Sequence, residues 1–150
     1  MYIISHRANL NGPNDPRENS PDLILEVLAM GFHVEVDVWY KDEKFFLGHD
    51  SPDYEIQLEF LANSQIWCHA KNVECLERLL SNESINCFFH DTDDVTLTSK
   101  NYMWTFPNRR LTKSSICVLP EIAEYSDSDL KICKGICTDY PIKYRERLKL

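Results

Sequence analysis

Glu35 and Asp37 are the residues of this chain whose types and spacing point most directly to chemistry. They lie in the segment 33–39 (His-Val-Glu-Val-Asp-Val-Trp), in which apolar and polar side chains alternate. Because a strand sends successive side chains to opposite faces, the two carboxylates are predicted to share one face of a strand. Neighbouring carboxylates repel each other, so both stay ionised only beside a cation or basic groups. The solvated face of an antiparallel sheet is the simpler alternative.

Two histidines follow apolar runs on either side of this pair in the sequence. His6-Arg7 follows the run 2–5, and His49-Asp50 follows Phe-Phe-Leu-Gly at 45–48. Histidine titrates near neutral pH and can accept or donate a proton, and arginine offers a fork of donors that matches a phosphate. Two histidines flanking an acidic pair favour a catalytic site over a solvated strand face.

A third group of polar side chains lies in the segment 66–71 (Ile-Trp-Cys-His-Ala-Lys), which is also predicted to be a strand. Alternation places Trp67, His69 and Lys71 on one face, while the other face carries Ile and two small residues. The face with Ile and the small residues suits packing under a helix. The opposite face therefore presents its polar groups for chemistry.

The elements that must position these side chains alternate between strand and helix in the first half of the chain. Helices are predicted over 20–31, with Ser20 as N-cap, and over 73–80. The first of them lies between two strands and supplies the crossover that parallel strands require. Polar residues gather where the strands end, which is typical of a (β/α) barrel, whose active sites lie on that face.

The second half of the chain is too short for complete strand-helix units. Four strand candidates (95–98, 102–106, 116–119 and 135–138) are separated by segments barely long enough for a turn of helix. The prediction is therefore one domain over residues 1–150, a compact (β/α)8 TIM-type barrel with helices reduced or missing in its second half. An open sheet is the alternative, because the barrel usually needs about 250 residues.

The composition of the chain limits which binding partners and which cellular location are expected for the protein. The chain has 24 acidic and 16 basic residues, a net charge of −8, which argues against a surface for nucleic acid or anionic membranes. No run of 18 apolar residues and no basic leader before an apolar segment occurs, so neither membrane insertion nor secretion is expected and the predicted location is cytoplasmic. The six cysteines are then predicted to be free thiols, mostly in the core; a zinc site is the minor alternative.

Several of these segments occur in an order that resembles the signature of the glycerophosphodiester phosphodiesterase family. That family shows H-R-G, P-E-N-T, a glycine, E-x-D-V, K-D-G and H-D, a W-T strand, and a closing G-x-x-T-D-x-P. The matching segments here are His6-Arg7, Glu18-Asn19-Ser20, Gly31, Glu35-x-Asp37-Val38, Lys41-Asp42, Gly48-His49-Asp50, Met103-Trp104-Thr105 and, at 135–141, Gly-Ile-Cys-Thr-Asp-Tyr-Pro. The match covers the first third of the chain well and the rest in patches, and it is specific only as an ordered set.

The resemblance implies a metal-dependent phosphodiester hydrolase of the barrel class that includes phosphatidylinositol-specific phospholipase C. Its substrate would be a small glycerophosphodiester-like molecule, with one histidine accepting a proton from the attacking hydroxyl and the other protonating the departing alcohol. Position by position, it assigns acid/base catalysis to His6 and His49, phosphate binding to Arg7 and Lys71, and a divalent cation to Glu35 and Asp37. Of the three tryptophans, which suit packing, Trp104 is the best candidate for contact with the substrate.

The chain departs from the family at the third acidic metal ligand. Where the family has E-x-K, this chain has His69-Ala70-Lys71. The resemblance favours Mg²⁺ or Ca²⁺, but a direct ligand role for His69 as neutral imidazole would move the preference towards Mn²⁺ or Zn²⁺. The missing carboxylate motivates an alternative function, a reduced barrel that binds a phosphorylated ligand or partner without turnover. A mainly structural protein with a solvated acidic face is a third interpretation, and the oligomeric state is left open.

Overall fold

Ten strands form one curled, mixed sheet in the computed structural model, which describes residues 1–150. The strands are β1 (Tyr2–His6), β2 (His33–Lys41), β3 (Lys44–Leu47), β4 (Tyr54–Ile56), β5 (Ile66–Ala70), β6 (Asn86–Phe88), β7 (Val95–Leu97), β8 (Met103–Thr105), β9 (Ser115–Val118) and β10 (Gly135–Thr138).

Five short helices accompany the sheet, the longest of nine residues. They are α1 (Pro21–Ala29), α2 (Leu58–Leu61), α3 (Val73–Leu80), α4 (Asp127–Ile132) and α5 (Pro141–Leu148), and a single 3₁₀ turn covers Pro120–Ile122. No helix has the length and apolar character needed to cross a membrane.

Seven strands run parallel, in the spatial order β8-β9-β10-β1-β2-β5-β6. Three more pair antiparallel: β3 with the end of β2, β4 with β3, and β7 with β8. Because β2 pairs with β1, β5 and β3 at once, it is the central strand of the sheet.

The predicted (β/α)8 barrel is wrong. The sheet is mixed and curls into a half-barrel, and too few helices are present to cover eight strand-helix units. The second half explains the difference: β6 is followed by the antiparallel β7, and β7 by β8, with no helix between them. A crossover between parallel strands needs a dozen or more residues, usually including a helix. The segment 89–102, between β6 and β8, forms the strand β7 instead.

The predicted first helix is confirmed in its bounds and caps. The Ser20 hydroxyl accepts a hydrogen bond from Leu23 N, proline occupies the first turn, and Gly31 follows the helix with a φ of 83°. These are the start and stop signals expected from side-chain capping and from glycine's tolerance of positive φ. The helix α3 likewise matches its predicted range.

Several elements were not predicted. The strand β4 is only three residues long, which is too short for a recognisable alternation of apolar and polar residues. The helices α4 and α5 bury few apolar side chains, so their periodicity is weak, although Ser126 and Asp129 form a capping box that marks the start of α4.

The two faces of the sheet carry different side chains, as alternation requires. Val34, Val36 and Val38 of β2 are completely buried in the main core together with residues of α1 and α3. The opposite face, inside the curl, buries a smaller cluster of Ile4, Trp67, Phe88, Trp104, Ile116, Val118 and Cys137. All six cysteines are buried and free, so the prediction of free thiols is confirmed.

Candidate active site

A cavity of about 300 Å³ opens inside the curl, where the parallel strands end. Its lining contains every predicted site residue except Asp37. The lining residues are His6, Arg7, Glu35, His49, His69, Lys71, His90, Asp91, Trp104, Phe106, Val118 and Leu119. The strand ends thus bring together side chains from across most of the chain.

The strand register explains why the predicted ligands meet. His6 at the end of β1 lies beside Glu35 of β2, and Asp37 of β2 lies beside His69 of β5. Because all three strands are parallel, alternate residues point into the same cavity. Lys71 follows directly, held by a hydrogen bond from its backbone N–H to the Val38 carbonyl at 2.8 Å.

Glu35 is buried and sparsely hydrogen-bonded. One of its oxygens, Oε2, accepts the backbone N–H of Arg7 at 3.1 Å and lies 4.0 Å from His6 Nε2. The other, Oε1, has only His69 Nδ1 close by, at 3.8 Å. Burial, and then the charge of Asp37, raise the pKa of Glu35 above its ordinary value.

Asp37 is also buried but is surrounded by cationic and donor groups. Its Oδ1 lies 3.1 Å from His69 Nδ1 and 3.3 Å from Lys71 Nζ. Its Oδ2 accepts a hydrogen bond from Asn19 at 3.0 Å and lies 3.2 Å from Arg7 Nε. Burial alone would raise the pKa of Asp37, but the contacts with His69, Lys71 and Arg7 outweigh it and lower the pKa well below the ordinary value.

The solvated acidic face considered from the sequence is therefore wrong. Glu35 and Asp37 are 2% and 1% exposed. Two carboxylates are kept out of water only where other groups compensate their charge, and here those groups come from Arg7, His69 and Lys71.

His6 is oriented by a residue at the other end of the chain. Its Nδ1 lies 2.8 Å from Oδ1 of Asp139, which directly follows β10, the neighbour of β1. The same carboxylate oxygen accepts a hydrogen bond from Asn9 at 2.9 Å. Burial by itself lowers the pKa of His6, but the hydrogen bond to Asp139 and the charges of Glu35 and Asp139 outweigh burial, so the pKa is raised.

Asp139 is held in turn by Glu121, in the 3₁₀ turn after β9. Glu121 accepts hydrogen bonds from the Asp139 backbone N–H at 2.7 Å and from the Thr138 hydroxyl at 2.9 Å. Burial raises the pKa of Asp139, but the hydrogen bond from His6 and the imidazole's charge outweigh burial and lower it. The His6–Asp139 pair is therefore held by residues that follow both neighbours of β10: Asn9 after β1 and Glu121 after β9.

His49 reaches the cavity from the loop after β3. The loop is tight at Gly48, which has a φ of 144° and where a Cβ atom would collide with the Ser51 carbonyl. Gly48 is tied down at both backbone groups, since its N–H donates to the Asp37 carbonyl at 3.1 Å and its carbonyl accepts from Trp39 Nε1 at 2.7 Å. His49 remains the most exposed of the site histidines, with its Nδ1 2.7 Å from Asp50.

Glu35, Asp37 and His69 could hold a metal ion. One donor atom from each lies within 4.8 Å of the others. Ligand atoms that surround one ion at about 2.1 Å are roughly 3 to 3.5 Å apart; the 3.1 Å from His69 Nδ1 to Asp37 lies in that range, and the 3.8 Å to Glu35 is a few tenths of an ångström longer. The sparsely bonded Glu35 Oε1 has a lone pair free for that purpose, so the donor set fits a divalent cation.

Sequence reasoning missed four residues that support this site. Asn19 bonds Asp37 twice, at its backbone N–H (2.9 Å) and its side chain, and Asn9 bonds both Asp139 and Glu18. Asp139 and Asn19 lie within matched family motifs, which was the available signal, whereas nothing marked Asn9. His90 stacks on His69 with ring centres 4.5 Å apart and lines the cavity.

Comparisons of the chain with protein-family models, curated proteins and solved structures found no match. The resemblance to glycerophosphodiester phosphodiesterases therefore stays a prediction that rests on the ordered motifs. What the chain does must be argued from the geometry of the cavity.

Proposed function

We propose that this protein is a metal-dependent phosphodiester hydrolase that acts on glycerophosphodiester-like substrates by histidine acid/base catalysis. The observation that supports it best is the convergence of His6, His49, Arg7, Lys71 and the buried Glu35 on one cavity of about 300 Å³, with the buried Asp37 next to Arg7 and Lys71. Phosphodiester cleavage needs these groups together: charge neutralisation on the phosphoryl oxygens, a proton acceptor and a proton donor.

The cationic side chains suit a phosphate at the mouth of the strands. Arg7 and Lys71 both line the cavity and approach Asp37 from opposite sides. Arg7 Nε lies 3.2 Å from Asp37 Oδ2 and Nη1 lies 3.5 Å from Glu18, so two carboxylates orient the guanidinium that lines the cavity. An arginine fork binds phosphate with two parallel hydrogen bonds, and lysine adds a point charge.

The two histidines provide the proton transfers. An ionised Asp139 can only accept a hydrogen bond, so it holds the proton of His6 on Nδ1 and leaves Nε2 to face the cavity. His49 lines the same cavity from the loop after β3. As a hydroxyl of the substrate or a water molecule attacks phosphorus, a new P–O bond forms and one histidine takes the nucleophile's proton, while the other donates a proton to the departing alkoxide as its P–O bond breaks. Where the nucleophile is the substrate's own hydroxyl, water then attacks the resulting cyclic phosphodiester and completes the hydrolysis.

The metal would be held by Glu35, Asp37 and His69. A divalent cation at that place would neutralise charge on the phosphoryl oxygens. The single imidazole among two carboxylates favours Mn²⁺ or Zn²⁺ relative to an all-carboxylate set, while Mg²⁺ and Ca²⁺ remain compatible with the oxygen ligands.

Turnover of bis-p-nitrophenyl phosphate and of glycerophosphocholine, each with added Mg²⁺, Ca²⁺ or Mn²⁺, tests the proposal. We expect His6→Ala and His49→Ala to lower kcat by about 10²- to 10⁴-fold, the usual contribution of a positioned acid or base. His33→Ala is the matched control, because His33 is the one histidine that does not line the cavity.

Wild-type activity no higher than that of the His6→Ala and His49→Ala variants, across all metals and both substrates, would refute the hydrolase. If calorimetry then showed tight binding of glycerophosphocholine without turnover, the cavity would belong to a binding protein, the alternative function considered from the sequence.

A further inference from the structure

The cavity has two chemically different walls. Polar and charged side chains come from β1, β2, β5 and the ends of β3 and β6, and they include every candidate ligand and proton-transfer group. The remaining lining residues are apolar, namely Trp104, Phe106, Val118 and Leu119, which we call the apolar wall. The apolar wall comes from β8, β9 and the residues that follow them, so the two walls are built from different strands of the curled sheet.

The apolar wall is rigid at its base and open at its rim. Trp104 is 5% exposed and packs against Phe88 with ring centres 4.4 Å apart. Val118 is also buried, whereas Phe106 is 48% exposed and Leu119 is partly buried. An apolar group of a ligand that covers the exposed part of Phe106 would gain about 25 cal/mol for each Å² removed from water.

Leu119 adds a second, independent observation. Its φ is 44°, a left-handed conformation that strains any residue with a branched side chain and that glycine adopts freely. The conformation is held by a hydrogen bond from the Leu119 N–H to the Cys137 carbonyl at 2.7 Å. Strain retained at a cavity rim is typical of side chains that contact a ligand.

We propose that the cavity binds a phosphodiester in which one of the two ester substituents is apolar, with the phosphate at the charged wall and that substituent against the apolar wall. The inference rests on the proposed hydrolase and narrows its substrate class. A substituent with many hydroxyl groups suits the apolar wall poorly, because the only polar side-chain atom there is the indole nitrogen of Trp104, which donates but cannot accept. A hydrocarbon substituent leaves no polar group unpaired.

The volume sets how much of the substituent the protein covers. Small-molecule sites usually span about 300 to 1,000 Å³, and this cavity of about 300 Å³ lies at the lower limit. It holds the phosphate and the first few carbon atoms, and a longer chain passes the rim at Phe106 and leaves the protein. Selectivity for chain length should therefore level off after a few methylene groups.

A homologous series of p-nitrophenyl alkyl phosphates, from methyl to octyl, tests the inference. For the wild-type protein with Mn²⁺ we expect kcat/KM to rise by up to about fourfold for each methylene that the wall buries, and then to level off. Phe106→Ala and Leu119→Gly should flatten this dependence on chain length. Leu25→Ala, which truncates a leucine that is 55% exposed on α1, is the matched control.

Binding of methyl, butyl and octyl phosphate monoesters, measured by calorimetry, separates the two proposals. Hydrolysis without any dependence on chain length would overturn the apolar subsite and leave the hydrolase intact. Affinity that rises with chain length, is reduced by Phe106→Ala and is not accompanied by hydrolysis of any diester would support the subsite and overturn the hydrolase. Absence of both turnover and chain-length-dependent binding would overturn both.

Discussion

The chemistry of a histidine depends on which ring nitrogen carries the proton, and for His6 that choice is made by Asp139. The 2.8 Å contact with Nδ1 leaves Nε2 on the side of Glu35, 4.0 Å away. A carboxylate at this position does two things: it fixes the tautomer, and it stabilises the imidazolium that forms during proton transfer. Asp139 is therefore a positioning residue that acts through His6.

Replacing Asp139 by Asn should show both effects. The pKa of His6, raised in the wild type, should fall in Asp139→Asn, because the hydrogen bond and charge that outweigh burial are lost. NMR titration of the imidazole in the metal-free protein measures this shift, and kcat should fall by about 10²- to 10⁴-fold. An unchanged His6 pKa together with unchanged kcat would contradict the assignment. A purely structural role would lower stability without moving the titration.

His69 stands where the resembled family has its third acidic residue, and as a proposed ligand it should change which metal ion is preferred. In the wild type, saturation with a suitable ion at about 100 times its Kd should stabilise the fold by about 2.7 kcal/mol, or roughly 2–4 °C in Tm for each kcal/mol. His69→Glu provides a third carboxylate, so the ion giving the largest Tm shift should change from Mn²⁺ or Zn²⁺ towards Mg²⁺ or Ca²⁺.

The controls for this measurement remove a carboxylate. Glu35→Gln should abolish the metal-dependent rise in Tm, whereas Glu77→Gln, on the exposed side of α3, should retain it. The same order of ions for wild type and His69→Glu would show that His69 is not a ligand.

At the scale of elements, β2 determines the site because it has neighbours on both edges and functional groups on one face. Its alternation placed Glu35 and Asp37 correctly from sequence, since a period of two fixes which residues share a face. What could not be predicted is the compensation of their charge. Asn19 and Arg7 come from the loop 7–20, and both have a positive φ (60° and 52°) that no apolar periodicity reveals.

The opposite end of β2 offers a pH-dependent contact that is independent of the cavity. Trp67 Nε1 of β5 donates a hydrogen bond to His33 Nδ1 at 3.1 Å, so His33 accepts as neutral imidazole. Its surroundings are the rings of Tyr2 and Trp67, with no carboxylate bonded to it. Burial lowers the pKa of His33.

The contribution of His33 to stability should therefore depend on pH in a known direction. Because its folded-state pKa is below the unfolded value of about 6.5, the unfolded chain binds more protons, and stability is lost as pH falls through 6.5. Urea unfolding of wild type and His33→Gln at pH 7.5 and 5.5 isolates this contribution. The free energy of unfolding should drop more for the wild type than for the variant; equal drops would contradict the assignment.

At the scale of the whole molecule, the sequence predicted which residues meet but not the fold that brings them together. The positions of His6 and the candidate metal ligands depend on β1, β2, β5 and β10 lying parallel and side by side. The alternation of apolar and polar residues predicted most of these strands. The expected (β/α)8 barrel is wrong because β7, predicted as a strand at 95–98, pairs antiparallel with β8 where a crossover helix was needed, and side-chain alternation does not reveal the direction in which a strand pairs. Asp139 was overlooked for a related reason, as its pairing with His6 depends on β10 returning to β1.

The proposed site makes one demand on the molecule as a whole: a cation, His69 and a phosphate must meet at the mouth of the strands. Pulsed electron paramagnetic resonance of the protein with Mn²⁺ and inorganic phosphate measures this directly. We predict a ³¹P coupling from phosphate and a ¹⁴N coupling from an imidazole on the same Mn²⁺, with the ¹⁴N coupling lost in His69→Gln. Bound Mn²⁺ that shows neither coupling, or no bound Mn²⁺ at all, would contradict the proposed metal-dependent hydrolase.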